Sequence, residues 1–334
     1  FGLVVWLSAS VALYMQAPRG TRLGQTPAIA VAVLVGALGI ALIVRINVRI
    51  VAADVLYKAG LRYDGQQAWD ESISYYRQAI AMAPNEDYYY LYAGRALMER
   101  AQVESAETAR DAYFEASLAA LQQAKRLNPL NADHTANMAR MHRTWAGSST
   151  DALQRAARLQ TAEELYAQAL TLAPHSAQLY NEWGLVYIEM GDLDRAMEVY
   201  QRSLALDQQY VQTYLLIGDW YLTQADYANA AEQFELAAEV EPDNIQAWSA
   251  LAYALSQNWQ VAEAIDANLR VLELAPQDYV TLKNLAILYR EVGEHRSAID
   301  AATRALAISS ADQAALQQFI AQEQLALQDA DATP

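Results

Sequence analysis

The chain has 334 residues, 23 Lys and Arg against 39 Asp and Glu, a net charge of −16 and no cysteine. The length leaves room for one large domain or two ordinary ones. The missing thiols exclude disulfide frameworks, iron–sulfur clusters, thiolate zinc sites and cysteine nucleophiles. An acidic body repels phosphate backbones, which argues against nucleic-acid binding. Ala, Leu and Tyr dominate, Gly and Pro are sparse, and the reading is mostly helix.

The only charges in residues 1–53 are Arg19, Arg22, Arg45 and Arg49. "FGLVVWLSASVALYM" (1–15) is apolar, "APRGTR" (17–22) breaks it, and "AIAVAVLVGALGIALIV" (28–44) is a second uncharged run. Seventeen helical residues rise about 25 Å, just under a hydrocarbon core. Arg45 can snorkel at one end while Thr26 and Pro27 cap the other. Residues 1–52 therefore read as a membrane region with apolar helices at 1–15 and 28–44, one or two of them transmembrane. The alternative is a buried core helix. Ala28, Ala32 and Gly36 give the second run a small-residue face. Two arginines follow each apolar run, so orientation stays open. The expected location is a bacterial cell membrane, with the rest of the chain in an aqueous compartment on either side. Phe1 in place of a Met fits a processed start or a piece of a longer polypeptide.

From residue 53 the chain repeats. "ALTLAP", "AAEVEP" and "VLELAP" end at Pro174, Pro242 and Pro276, and Gln208 and Ser310 share their phase, a spacing of 34 residues throughout. Pro84, Pro129 and Pro174 stand 45 apart, 34 plus 11. Eleven residues are about three helical turns, so a helix can lengthen without rotating its buried face. The phase gives seven units: 53–86, 87–131, 132–176, 177–210, 211–244, 245–278 and 279–312. First helices carry Tyr90, Tyr180, Tyr214 or Trp248, then Trp183-Gly184, Ile217-Gly218, Leu251-Ala252 or Leu285-Ala286. Tyr63, Tyr187, Tyr221 and Tyr289 follow three residues after the small one. Second helices carry Ala162, Ala196, Ala230, Ala264 or Ala298, often with a ring four later: Tyr76, Tyr166, Tyr200, Phe234. A small residue lets paired helices approach, a ring fills the groove, and Pro stops the second helix. One such unit cannot bury its own face, so units stack.

This pattern resembles the tetratricopeptide repeat, and the resemblance covers residues 53–312 with departures at Asn268, Ala302 and the two long units. It implies an all-α, right-handed superhelical solenoid of about seven helix pairs, preceded by one or two transmembrane helices. Residues 313–327 read as a solvating cap helix and 328–334 as a frayed tail.

In such a rod the first helices line a concave face. Gln178, Asn181, Leu185, Gln212, Leu215, Asp219, Gln246, Ser249, Tyr253, Lys283, Ile287 and Arg290 are expected to project there. Gln178, Gln212 and Gln246 form an uncharged ladder, while Lys283 and Arg290 are the only cations. Repeats that clamp a peptide carboxylate use a Lys/Asn/Arg cradle, so a neutral extended ligand, peptide or glycan, fits better. His134, His142, His175 and His295 form no two-His pair with Glu and no Ser-His-Asp motif. His142 reads as core, and His175 and His295 as solvated turn residues. No catalytic residue, cofactor or metal site is predicted.

"LNPLNADHTANMARMHRTW" (127–145) is unusual, with Asn131 or Asp133 as cap and Arg140 and Arg143 on the exposed side. With the long units and the apolar hairpin, it resembles the tail of O-antigen-ligase-like membrane proteins that carry tetratricopeptide repeats. That resemblance implies catalysis upstream of these residues and transfers no catalytic position. The primary expectation is a membrane-anchored scaffold for a protein or peptide partner. An accessory region of a glycan polymerase or ligase, and a self-assembling structural protein, are the alternatives.

Overall fold

The computed structural model describes residues 26–332, so the apolar run 1–15 and the last two residues of the tail lie outside it. The described residues form fifteen α-helices and no strand. In chain order they are α1 (Thr26–Asp64), α2 (Trp69–Met82), α3 (Asp87–Gln102), α4 (Glu107–Leu127), α5 (Ala132–Gly147), α6 (Ala152–Leu172), α7 (Ala177–Met190) and α8 (Leu193–Leu206). There follow α9 (Val211–Thr223), α10 (Tyr227–Val240), α11 (Ile245–Gln257), α12 (Val261–Leu274), α13 (Tyr279–Glu291), α14 (His295–Ile308) and α15 (Gln313–Ala332). They fall into two compact units, one ending at Leu172 and the other starting at Ala173.

No turn separates the apolar run at 28–44 from the first repeat. Both belong to α1, 39 residues long, a rise of about 58 Å. No Pro lies between Pro27 and Pro84, and isolated glycines weaken a helix without ending it. Core packing on α1 begins at Ile50 and Ala53, which meet Ala79, Ala83 and Tyr89. Val33, Leu34, Leu38, Ile40 and Leu42, all before that point, are exposed.

Within a 34-residue unit the two helices meet at a glycine. A Cβ on Gly60 would stand 2.5 Å from the Tyr76 ring, one on Gly184 2.2 Å from Tyr200, and one on Gly218 2.4 Å from Phe234. Those rings are 0 to 1% exposed. Where the ring is lost, at Asn268 and Ala302, the opposing residue is Ala252 or Ala286 rather than glycine, and all four are buried. The methyl group takes part of the space that the ring would fill. Asn268 satisfies its amide on its own helix, donating to the Ala264 carbonyl at 2.7 Å.

The turn between paired helices repeats too. Gln67, Gly191, Ala225, Trp259 and Gly293 all have φ between 56° and 79°. In each case the next amide closes the helix end, as Ala68 N–H on Tyr63, Asp192 on Tyr187 and Gln260 on Leu255. This is the left-handed C-cap that favours glycine. Three of the five positions carry a side chain and are strained accordingly.

The 45-residue units distribute their extra length. α4 and α6 have 21 residues against 14 in α8, and α3 and α5 have 16 against 14 in α7. The turn between them takes the remainder. Seven residues are about two helical turns, which keeps the buried face in phase, so no single helix absorbs all eleven.

Several local expectations are corrected. Asn131 is the cap of α5, accepting from the Asp133 amide, but Arg140 and Arg143 are half-buried rather than exposed. His134, at 0% exposure, shares a 2.7 Å contact with Asp87. His175 is exposed, whereas His295 is half-buried and bonds the buried carboxylate of Glu323 at 2.7 Å. That partner lies on α15, which continues to Ala332, five residues past the expected cap helix, and seats Leu316 in the core of the second unit.

Candidate functional site

In the second unit, α7, α9, α11 and α13 are the first helices of successive pairs. The side of each that faces its partner is core: Leu179 and Tyr187, Leu215 and Ile217, Leu251 and Leu255, Leu282 and Leu285. What stays open is a set of positions at 34-residue spacing.

Gln178, Gln212 and Gln246 are all exposed, and Gln178 donates to Glu182 at 2.9 Å. The fourth member of that column, Val280, is 62% exposed; extending the ladder by one more 34-residue step would have found it in the sequence. Ser249, Asp219 and Arg290 are exposed, and Tyr253 and Ile287 are 53% and 42% exposed. Leu185 is half-buried. Asn284 is exposed beside Ile287 and was not anticipated.

Two expected site residues are core instead. Leu215 is 3% exposed. Asn181, also 3% exposed, donates to Thr213 at 2.9 Å and accepts from it at 3.2 Å, while Thr213 meets Ser203 at 3.0 Å. Ser203 donates onward to the Ala177 carbonyl. This closed polar network joins α7, α8 and α9, and a partner cannot reach it. Asn181 turns toward α9, where Thr213 receives it, whereas the same column is exposed at Ser249.

The cations of this face are occupied. Lys283 and Tyr279 both donate to the Asp312 carboxylate, the tyrosine at 2.7 Å. The Lys283 hydrogen bond, followed by that of Tyr279, holds the Asp312 carboxyl below its ordinary range, and the same bond pushes the Lys283 ammonium up. The Arg290 guanidinium lies 4.9 Å over the Phe319 ring of α15. Partial desolvation pushes the Asp219 carboxyl up. The open strip carries few charges, with Gln178, Gln212, Gln246 and Val280 at one end of its helices and Leu185, Asp219, Tyr253 and Ile287 at the other.

Clefts lie elsewhere on the same unit. One of about 550 Å³ between α10, α11 and α12 is walled by Trp248 and Leu251 and rimmed by Glu232, Glu235, Glu263, Asp266 and Arg270. Another of 300 Å³ sits between α7 and α8 against Tyr180, Trp183 and Arg202. Among the described residues no three His, Asp or Glu side chains converge as a metal site. The first-helix face offers surface and hydrogen-bonding amides.

Three family models match the chain: a TPR repeat over residues 184–225, a tetratricopeptide repeat over 215–279, and another over 281–315. The second unit is thus built of tetratricopeptide repeats. Among solved structures, a thermophilic TPR protein of Thermus thermophilus aligns at 17% identity and a TM-score of 0.50, over 61% of this chain and 98% of its own. That likeness shows the fold alone. MamA aligns at 20% identity and a TM-score of 0.40, over 55% of this chain and 94% of its own. The Cut9–Hcn1 hetero-tetramer of the APC/C gives 17% and 0.46, over 74% and 44%. No curated protein sequence matches, so the glycan-ligase resemblance gains no support there.

Proposed function

We propose that this tetratricopeptide-repeat chain is a membrane-held scaffold that presents the first-helix face of its second unit to a protein partner in extended form. The observation that carries the reading is the open, near-neutral row of Gln178, Gln212, Gln246, Ser249, Tyr253 and Ile287 on helices whose other sides are core. Repeats of this kind generally serve protein partners. Glutamine amides supply both donors and acceptors to an extended main chain. Tyr253, Val280 and Ile287 offer apolar contact to its side chains, which favours a peptide over a glycan. The membrane part rests on the exposed apolar residues of α1 from Val33 onward, a stretch long and apolar enough to cross a bilayer, with a mean hydropathy of 2.0 in its most apolar window.

The test places a photo-reactive amino acid at Tyr253 or Ile287 in the full chain, expressed in its native cells, with Arg304 on α14 as the outer-face control. A discrete protein adduct from the first two positions and not the third is expected, in a membrane fraction that resists alkaline extraction. Adducts of equal yield from Arg304 would remove the first-helix face as the site. An adduct at twice the chain's own mass would replace the foreign partner with a second copy.

A further inference from the structure

Beyond residue 47, α1 has two unlike sides. Ile50, Ala53, Leu56 and Tyr57 pack on α2 and α3. On the opposite side Val48, Val51 and Val55 are 60%, 63% and 63% exposed, and nothing from the repeat covers them. The same stripe continues at helical spacing to Lys58 and Arg62, both exposed. The two acids of this stretch are turned away from it. Asp54 accepts from the hydroxyls of Tyr88 and Tyr89 at 2.6 Å each, and Asp64 accepts from Tyr76. The free side of α1 is thus aliphatic, then cationic, with no free carboxylate.

We infer that this stripe is a lipid contact: Val48, Val51 and Val55 lie in the interfacial layer of an anionic bilayer, and Lys58 and Arg62 meet its phosphates. The inference rests on the membrane reading of α1 given above and adds where the first repeat sits, which is against the membrane rather than on a stalk. Continuity supports it, since α1 carries the apolar surface from Val33 to Val55 without a turn. Length supports it as well. Residues 28–44 rise only about 25 Å, so a core of roughly 30 Å counted from residue 28 ends near Val48 and leaves Val51 and Val55 at its boundary as the helix leans toward its free side. Charge decides between partners. Exposed Lys58 and Arg62 suit anionic headgroups, whereas a second copy would present the same cations and repel them.

The chain has no native cysteine, so single labels are unambiguous. The full chain is reconstituted in vesicles containing about one-third phosphatidylserine, with a bimane label at Val35→Cys, Val51→Cys, Val55→Cys or Gln178→Cys. Quenching is read from lipids that carry a nitroxide on the headgroup or on the acyl chain. The expected result is strong acyl-chain quenching at 35, shallow-nitroxide quenching at 51 and 55, and none at 178. Adding Lys58→Glu and Arg62→Glu should at least halve the quenching at 55 while leaving 35 unchanged. Quenching at 35 without quenching at 51 and 55 would overturn the inference and leave the membrane reading standing. Its absence at 35 would end both. Labels at 51 and 55 that are shielded from aqueous iodide yet silent to lipid nitroxide would assign the stripe to protein and overturn the lipid contact.

Discussion

The glycine–ring contact gives a sharp test of the helix pairing. In Gly218→Ala the new methyl carbon would stand 2.4, 2.7 and 2.8 Å from three atoms of the Phe234 ring, against an ordinary carbon contact of about 3.5–4 Å. Phe234 is 0% exposed, so the ring must move by roughly an ångström inside a packed interior. Overpacking of this kind costs about 1–3 kcal/mol, and the gain from replacing a helical glycine returns about 0.5–1 kcal/mol. The expected net loss is about 1–2 kcal/mol, or a fall of roughly 3–6 °C in Tm for a unit of this size. The assay is a circular-dichroism melt of the full chain in mild detergent, beside Gly147→Ala. No atom lies within 4 Å of that methyl, and its Tm should hold or rise. Combining Gly218→Ala with Phe234→Leu should recover part of the loss, a coupling that a double-mutant cycle reads directly. A Gly218→Ala chain as stable as Gly147→Ala would refute the packing argument.

Ala225→Gly relieves a φ of 56° and should stabilise by about 0.5–1 kcal/mol; a lower Tm would show that the alanine methyl contributes more than its strain costs. Burial first, and the Arg158 guanidinium second, hold the His142 imidazole down to about 4 from an ordinary 6.5. Between those values the unfolded chain binds a proton that the folded chain does not, so the stability of the first unit should fall as pH drops from 6.5 to 4. His142→Phe should flatten that limb of the pH–Tm profile. The lowered Asp312 carboxyl contributes stability that is present above its unfolded value and lost as pH falls through its folded one. Asp312→Asn should remove that acid limb in melts of the second unit. A chain ending at Asp312 uncovers the buried residues Ala302 and Ala305 packed with Leu316 and should associate in light scattering; a monodisperse species would show α15 to be dispensable.

What was legible in the sequence is what a single helix pair requires. Gly184 with Tyr200 and Gly218 with Phe234 announce a close crossing because only a missing side chain admits a ring there. The pairing of Ala252 with Asn268 shows the same rule when the ring is absent. Contacts between pairs were less visible. Asn181 is polar and stands in a column that opens to solvent at Ser249, so its type pointed outward. Its burial comes with Thr213, 32 residues away, which satisfies its amide and is itself held by Ser203. His295 misled for a like reason, since its partner Glu323 lies on a helix beyond the last repeat. The strained turns at Gln67, Ala225 and Trp259 carry no glycine to mark them, and only the backbone reveals that they share a conformation with Gly191 and Gly293.

The absence of any break in α1 also sets an angle. The exposed run from Val33 and the first repeat share one helical axis, so whatever grips the run fixes the compass bearing of the repeat about that axis. One residue added between them would turn the repeat by about 100° and lift it about 1.5 Å, while seven would raise it about 10 Å and restore its bearing to within about 20°. The distance from residue 44 to Ala53 is therefore a phase setting as well as a spacer, and a change in its length would be felt first as a change in the direction the first repeat faces.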